Sequence, residues 1–217
     1  MTFLRSHTFA QRIVERIRQD LARKSPLFVA LDGRSGTGKS TVAALVAAEF
    51  GATVATVIEG DQFYGGGSDS TWDGRSVAEK VEKVIDWKRQ RELLTELKAT
   101  GEAFWQMFDW ESKDWDADTI PLNPVPQHMV LTPVIILEGA YSARPELADL
   151  FDLRVLLEIE ADVRREQLLA REGEAYRADW EARWSAAEDY YFGKVVPAAE
   201  FDLVVGRSAH DTKQTCI

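Results

Sequence analysis

The sequence predicts an α/β domain in which a parallel sheet carries helices on both faces. Three observations support this. Short apolar runs alternate with stretches of helical periodicity, a glycine-rich turn joins the first run to a helix, and acidic residues stand where the next two runs end. At 217 residues and 45% hydrophobic, the chain suits one such domain, or one domain with a small insertion, and is too short for two full enzyme domains.

Each element follows from spacing and punctuation. From Ala10, the apolar residues Ile13, Val14, Ile17 and Leu21 recur at helical intervals between Arg and Glu, which predicts an amphipathic lead helix. Pro26 stops it. Leu27 to Leu31 is a short apolar run that suits a strand buried on both faces, and Val42 to Phe50 restarts the helical pattern before Gly51 closes it. Ala52 to Ile58 reads as the next strand, and the triple glycine Gly65 to Gly67 announces a mobile loop. Residues 76–100 read as helix interrupted near Trp87, stopping at Gly101. From Phe104 to Met129 the texture changes to aromatics, acids and Pro121, Pro124 and Pro126, as expected of strand-and-loop structure over a pocket. Val134 to Leu137, Leu153 to Ile159 and Leu203 to Val205 are the remaining candidate strands.

Charge and composition narrow the function. The 26 Lys and Arg against 36 Asp and Glu give a formal net charge of -10, which opposes a polyanion lying across the surface, so no nucleic-acid partner is expected. A single cysteine, Cys216, and the scattered histidines His7, His128 and His210 offer neither an internal disulfide nor metal-ligand spacing. A reduced, cytoplasmic protein is expected, with no signal peptide and no membrane partner.

The most specific motif is Gly33-Arg34-Ser35-Gly36-Thr37-Gly38-Lys39-Ser40, which satisfies G-x-x-x-x-G-K-S/T between an apolar run and a helix. In such a loop, successive N–H groups turn inward toward phosphate oxygens, and the helix N-terminus adds partial positive charge. Gly33, Ser35, Gly36, Thr37, Gly38, Lys39, Ser40 and Thr41 are therefore the expected nucleotide-binding set. Lys39 would bridge the β- and γ-phosphates, Ser40 would ligate Mg²⁺, and Thr41 would reach a neighbouring phosphate. ATP and Mg²⁺ are the expected ligands, with GTP left open as donor. Two carboxylates follow at strand ends. Asp61 is either the group that orients or deprotonates an acceptor hydroxyl or the cap of a turn. Glu138 is either a Mg²⁺ contact or a solvated strand-end residue.

Together, the phosphate loop, the Asp-x-Phe-Tyr of Asp61 to Tyr64, Glu138-Gly139 and the arginine-bearing helix after Leu153 to Ile159 resemble the uridine kinase branch of P-loop kinases, related to phosphoribulokinase and pantothenate kinase. The resemblance runs in order over roughly residues 26 to 205. It implies a five-stranded parallel sheet with helices on both faces, a small β-rich substrate flap and a helical lid. Residues 1–206 would form one domain, with 26–103 and 133–206 as core, 104–132 as the flap insertion, 162–193 as the lid region and 207–217 as a tail. The implied activity is transfer of the ATP γ-phosphate to a hydroxyl of a small molecule. Asp61 would be the base, Ser40 and Glu138 would sit on the metal side, and Arg164 and Arg171 would be lid arginines. Seven residues apart, those two arginines share a helix face; the alternative is an ordinary charged helix with Glu166 and Glu172 as partners.

The acceptor side departs from the family. Members that act on uridine carry Tyr-Asp-Tyr-x-x-His-x-Arg in the flap, whereas this chain reads Phe108-Asp109-Trp110-Glu111-Ser112-Lys113-Asp114-Trp115. The family's His-Pro-Asp is replaced by Val81-Glu82-Lys83 ahead of Asp86-Trp87, leaving Asp73 or Asp86 as substitutes. Gln167 and Leu168 stand where members often carry further arginines. The substrate set is therefore drawn as Phe63, Tyr64, Asp73, Phe108, Asp109 and Trp110, and Trp72 and Trp105 are either further stacking surfaces or plain packing. A nucleoside, a sugar or a pantothenate-like alcohol all remain open as acceptor. So do a nucleotide-dependent regulatory ATPase and a homo-oligomeric state.

Overall fold

The computed structural model describes residues 2–112, 119–173 and 180–206. Its centre is a five-stranded, all-parallel sheet in the order β2-β5-β1-β6-β7. The strands are β1 (Leu27–Asp32), β2 (Ala55–Glu59), β5 (Val134–Glu138), β6 (Leu153–Leu157) and β7 (Leu203–Val205). Every residue of β1 and β5 is buried, as a central strand covered on both faces requires.

The period of two along β1 sorts its side chains between two cores. Leu27, Val29 and Leu31 join Ile13 and Ile17 of α1 (Thr2–Leu21) and Val42 and Val46 of α2 (Lys39–Phe50) on one face. Phe28 and Ala30 join Leu94 and Leu97 of α5 (Trp87–Thr100) and Ala187 of α7 (Glu181–Tyr190) on the other. α1 begins well before Ala10, the first residue of the apolar pattern. The break expected near Trp87 separates α4 (Val77–Lys83), which carries a Ser76–Glu79 capping box, from α5, which Asp86 caps through its side chain. Between β2 and α4 lie a 3₁₀ turn, Gly60–Phe63, and the short helix α3 (Asp69–Asp73).

The flap is a two-stranded antiparallel hairpin of β3 (Glu102–Trp105) and β4 (Gln127–Val130), extended by a bridge between Phe108 and Leu122. It begins two residues before Phe104 because α5 ends at the left-handed Gly101, and the chain pairs at once. The arginine-bearing helix is α6 (Ala161–Glu172). Lys113, Asp114 and Trp115, and the tail at 207–217, lie outside the described residues. No helix among the described residues is long and apolar enough to cross a membrane.

Candidate active site

Parallel strands deliver their carboxyl ends to one edge of the sheet, and the predicted residues gather there. β1 ends in Asp32 and runs into the loop 33–38, α2 begins at Lys39, β2 leads to Asp61, and β5 ends in Glu138. One cavity of about 260 Å³ is lined by Lys39, Ser40, Thr41, Asp61, Glu138 and Arg171.

The loop's path is set by its glycines and by what packs on it. Gly36 has φ 79, and a Cβ there would come within 2.6 Å of Leu168 and 2.8 Å of the Arg164 carbonyl oxygen. Helix α6 therefore rests directly on the loop, and Leu168 is apolar because it is buried against Gly36. Lys39 Nζ donates to the Gly33 and Arg34 carbonyls at 2.8 and 3.2 Å. Thr37 Oγ1 donates to the Arg34 carbonyl at 2.9 Å.

Glu138 is buried at the floor of the cavity. Burial raises its carboxyl above the usual range, while Lys39 and a hydrogen bond from Ser40 oppose the rise. A close approach of Gly60 to the Glu138 carbonyl, where a Cβ would sit at 2.9 Å, holds the ends of β2 and β5 together. Among the described residues, no group of three or more His, Cys, Asp or Glu could hold a metal. The hydroxyl of Ser40 beside the carboxylate of Glu138 is nevertheless a hard-oxygen pair that fits Mg²⁺, which takes one or two protein oxygens and completes its shell with phosphates and water.

A second cavity, of about 310 Å³, adjoins the first; Ser35, Asp61, Ala140 and Arg171 line both. Tyr64 and Trp110 stack on its wall with ring centroids 5.2 Å apart at 21°. Trp72 Nε1 donates to the Tyr64 hydroxyl at 2.6 Å, and burial raises the Tyr64 phenol. Trp184 packs on Trp72 at 5.3 Å. Asp61 thus stands where phosphate loop and aromatic chamber meet.

Six of the residues named from the sequence, Phe63, Phe108, Asp109, Asp73, Asp86 and Arg164, do not line these cavities. Phe63 is fully buried in the core under the Arg89 guanidinium. Phe108 is also buried, edge-on to Tyr64, and supports the stack from beneath. Asp109 accepts from the Glu111 N–H and shapes the flap turn. Asp73 is bound by Arg183, whose Nε and Nη2 donate to its two oxygens at 2.6 and 3.2 Å, and that hydrogen bonding holds its carboxyl below the usual range. Asp86, the other substitute, is the cap of α5. Arg164 faces the opposite flank of the loop from Arg171, donating from Nη1 to the Ser35 carbonyl and to Glu188 Oε2, each at 3.1 Å. It braces the loop from outside, whereas Arg171 opens on the cavity.

Three residues escaped the sequence reading. Asp32, fully buried, accepts from the N–H groups of Gly33, Tyr141 and Ala143 and from the Tyr191 hydroxyl at 2.7 to 3.1 Å; burial raises its carboxyl against those bonds. Glu188 accepts from the Ser35 N–H at 2.6 Å and lines the aromatic chamber. Arg183, in the same chamber, joins α7 to α3 through Asp69 and Asp73. The Asp at the end of an apolar run was the one visible sign of Asp32; the others depend on partners far away in sequence.

The profile of the Phosphoribulokinase / Uridine kinase family matches residues 28–183. A uridine kinase of Limosilactobacillus reuteri (strain DSM 20016) is 27% identical over 143 residues, 65% of this chain and 62% of that protein. The aligned stretch therefore covers less than two thirds of that relative. A uridine kinase of Clostridium botulinum is 27% identical over 157 residues, 69% of this chain and 70% of its own. Among solved structures, a candidate uridine kinase from Bacillus stearothermophilus superposes with TM-score 0.63 at 22% identity, covering 89% of this chain and 97% of that one. D-glycerate 3-kinase from Cryptococcus neoformans var. grubii gives TM-score 0.57 at 13% identity, with 82% and 85% covered. At these identities the superpositions establish the P-loop kinase fold.

Proposed function

This chain belongs to the phosphoribulokinase/uridine kinase family, and on that premise we propose that it is an ATP-dependent kinase that phosphorylates a hydroxyl of a small ring-bearing alcohol of nucleoside type. The observation that carries this reading is the single cavity shared by Lys39, Ser40, Glu138, Asp61 and Arg171. Phosphoryl transfer asks a protein mainly for positioning and charge neutralisation. The loop amides and Lys39 hold the phosphate chain. Ser40 and Glu138 would hold Mg²⁺, which would supply neutralising charge at the terminal phosphates. Asp61 accepts the proton of the acceptor hydroxyl, which the Tyr64–Trp110 wall presents, and Arg171 faces the transferred group from α6. Asp61 shares this cavity with Lys39 and Ser40 of α2, Glu138 of β5 and Arg171 of α6, an arrangement that a turn-capping aspartate has no need of.

A non-nucleoside alcohol is the second reading. It is favoured by the engagement of Asp73 in an ion pair and Asp86 in a helix cap, which leaves neither of them to hold ribose hydroxyls. A screen of ATP consumption over nucleosides, sugars and carboxylate-bearing alcohols separates the two. With the acceptor found, Asp61→Asn is expected to lower kcat by about 10² or more while leaving MgATP affinity unchanged, the scale of general base catalysis. Unchanged kcat in that variant would exclude Asp61 as the base.

A further inference from the structure

Resting on the reading that the loop holds a nucleoside triphosphate, we propose that helix α1 forms one wall of the pocket for the donor's nucleoside end, with Phe9 and Ser6 facing Ile159 and Val163. The loop has two sides. Lys39 and Ser40 open toward Asp61 and Glu138, where the transferred phosphoryl group must meet its acceptor. A triphosphate lying along the loop therefore directs its nucleoside the other way, past Thr41.

There the structure has a separate cavity of about 420 Å³, lined by Thr41, by Ile159 and Val163 after β6, and by Arg5, Ser6 and Phe9 of α1. Its size falls within the range of small-molecule pockets, about 300–1,000 Å³. A phenyl ring on one side and two aliphatic side chains on the other make apolar walls for a flat base, and the Ser6 and Thr41 hydroxyls add hydrogen-bonding edges. The wall is fixed in place. Ile13 and Ile17 seat α1 in the core, Arg12 and Arg16 donate to the Val204 and Asp202 carbonyls at 3.4 Å, and Arg5 reaches Glu160. α1 lies outside the segment matched by the family profile, which begins at residue 28.

The rival space, on the other flank of Thr37, has about 220 Å³ and is lined by Arg34, Arg164 and Phe192. Its two guanidinium groups already pair with Asp189 and Glu188.

Calorimetric titration of the full chain with Mg-ATP and, separately, with Mg-tripolyphosphate tests the proposal. Phe9→Ala and Val163→Trp change the pocket from opposite walls, one by emptying it and one by filling it. Each is expected to weaken ATP about tenfold, the worth of one stacked ring, and to leave tripolyphosphate unchanged; Phe192→Ala is expected to alter neither. Wild-type ATP affinity in both wall variants, a parallel loss of tripolyphosphate in both, or a loss confined to Phe192→Ala would overturn the assignment to α1. A wild-type chain that takes up neither ligand would remove the phosphate-loop reading itself, and this proposal with it.

Discussion

The two ends of the site are built from different materials. The phosphate-loop end is mostly backbone: loop amides, Gly36 under direct contact from α6, and carboxylates such as Asp32 and Glu188 that accept from N–H groups on neighbouring segments. The aromatic chamber, the proposed acceptor end, is mostly side chains, namely a Tyr64–Trp110 stack half open to solvent and Arg183 clamped between two exposed aspartates. Backbone geometry changes only with the fold. Side chains on a hairpin can be exchanged without moving the sheet, so one end can stay constant while the other is retuned to a new acceptor.

Substitutions should separate the two ends by what they disturb. The largest expected effect is that of Lys39→Ala, a fall in kcat of about a thousandfold that is the same for every acceptor; a loss that varied with the acceptor, measured by ADP release, would break the division. Next, Asp32→Ala strips one acceptor group from four buried donors, at an expected cost of about 3 kcal/mol in urea unfolding. Trp110→Ala should raise the acceptor KM about tenfold with MgATP affinity unchanged, as read from initial rates and calorimetry. Arg183→Ala belongs to the same end. Because its aspartate partners are exposed, those ion pairs should add little to stability, and its effect should be seen in acceptor KM.

The smallest effect concerns pH. Burial raises the Asp32 carboxyl from its ordinary 3.8. The folded chain therefore keeps a proton there over a window in which the unfolded chain has lost it, and stability from this group falls as pH climbs through that window. Asp32→Asn removes the slope, so the difference between wild type and variant in urea unfolding should shrink toward low pH.

The same contrast explains what could be read from the sequence alone. The loop is legible because a phosphate cradle demands glycines at fixed intervals, and the common position of Asp61 and Glu138 because parallel strands deliver their ends to one edge. The helices are legible because Ile13, Ile17, Leu94 and Leu97 repeat with the period of a buried face. Of the four aromatic residues expected at the acceptor, Tyr64 and Trp110 line the chamber, while Phe63 and Phe108 do not, for a physical reason. Phe63 and Phe108 are core and Trp110 is wall, yet residue type does not say whether a ring is covered by protein or left to meet a ligand. Arg183 and Glu188 were out of reach because their partners, Asp73 and Ser35, lie 110 and 153 residues away.

The carboxylate of Asp32 has one further consequence. It gathers amide hydrogens from two separated stretches, Gly33 on one side and Tyr141 and Ala143 on the other, and fastens them to a third through Tyr191. In heavy water the three amides are expected to show one common opening free energy, that of the whole domain, and so to act as internal reporters of its global unfolding.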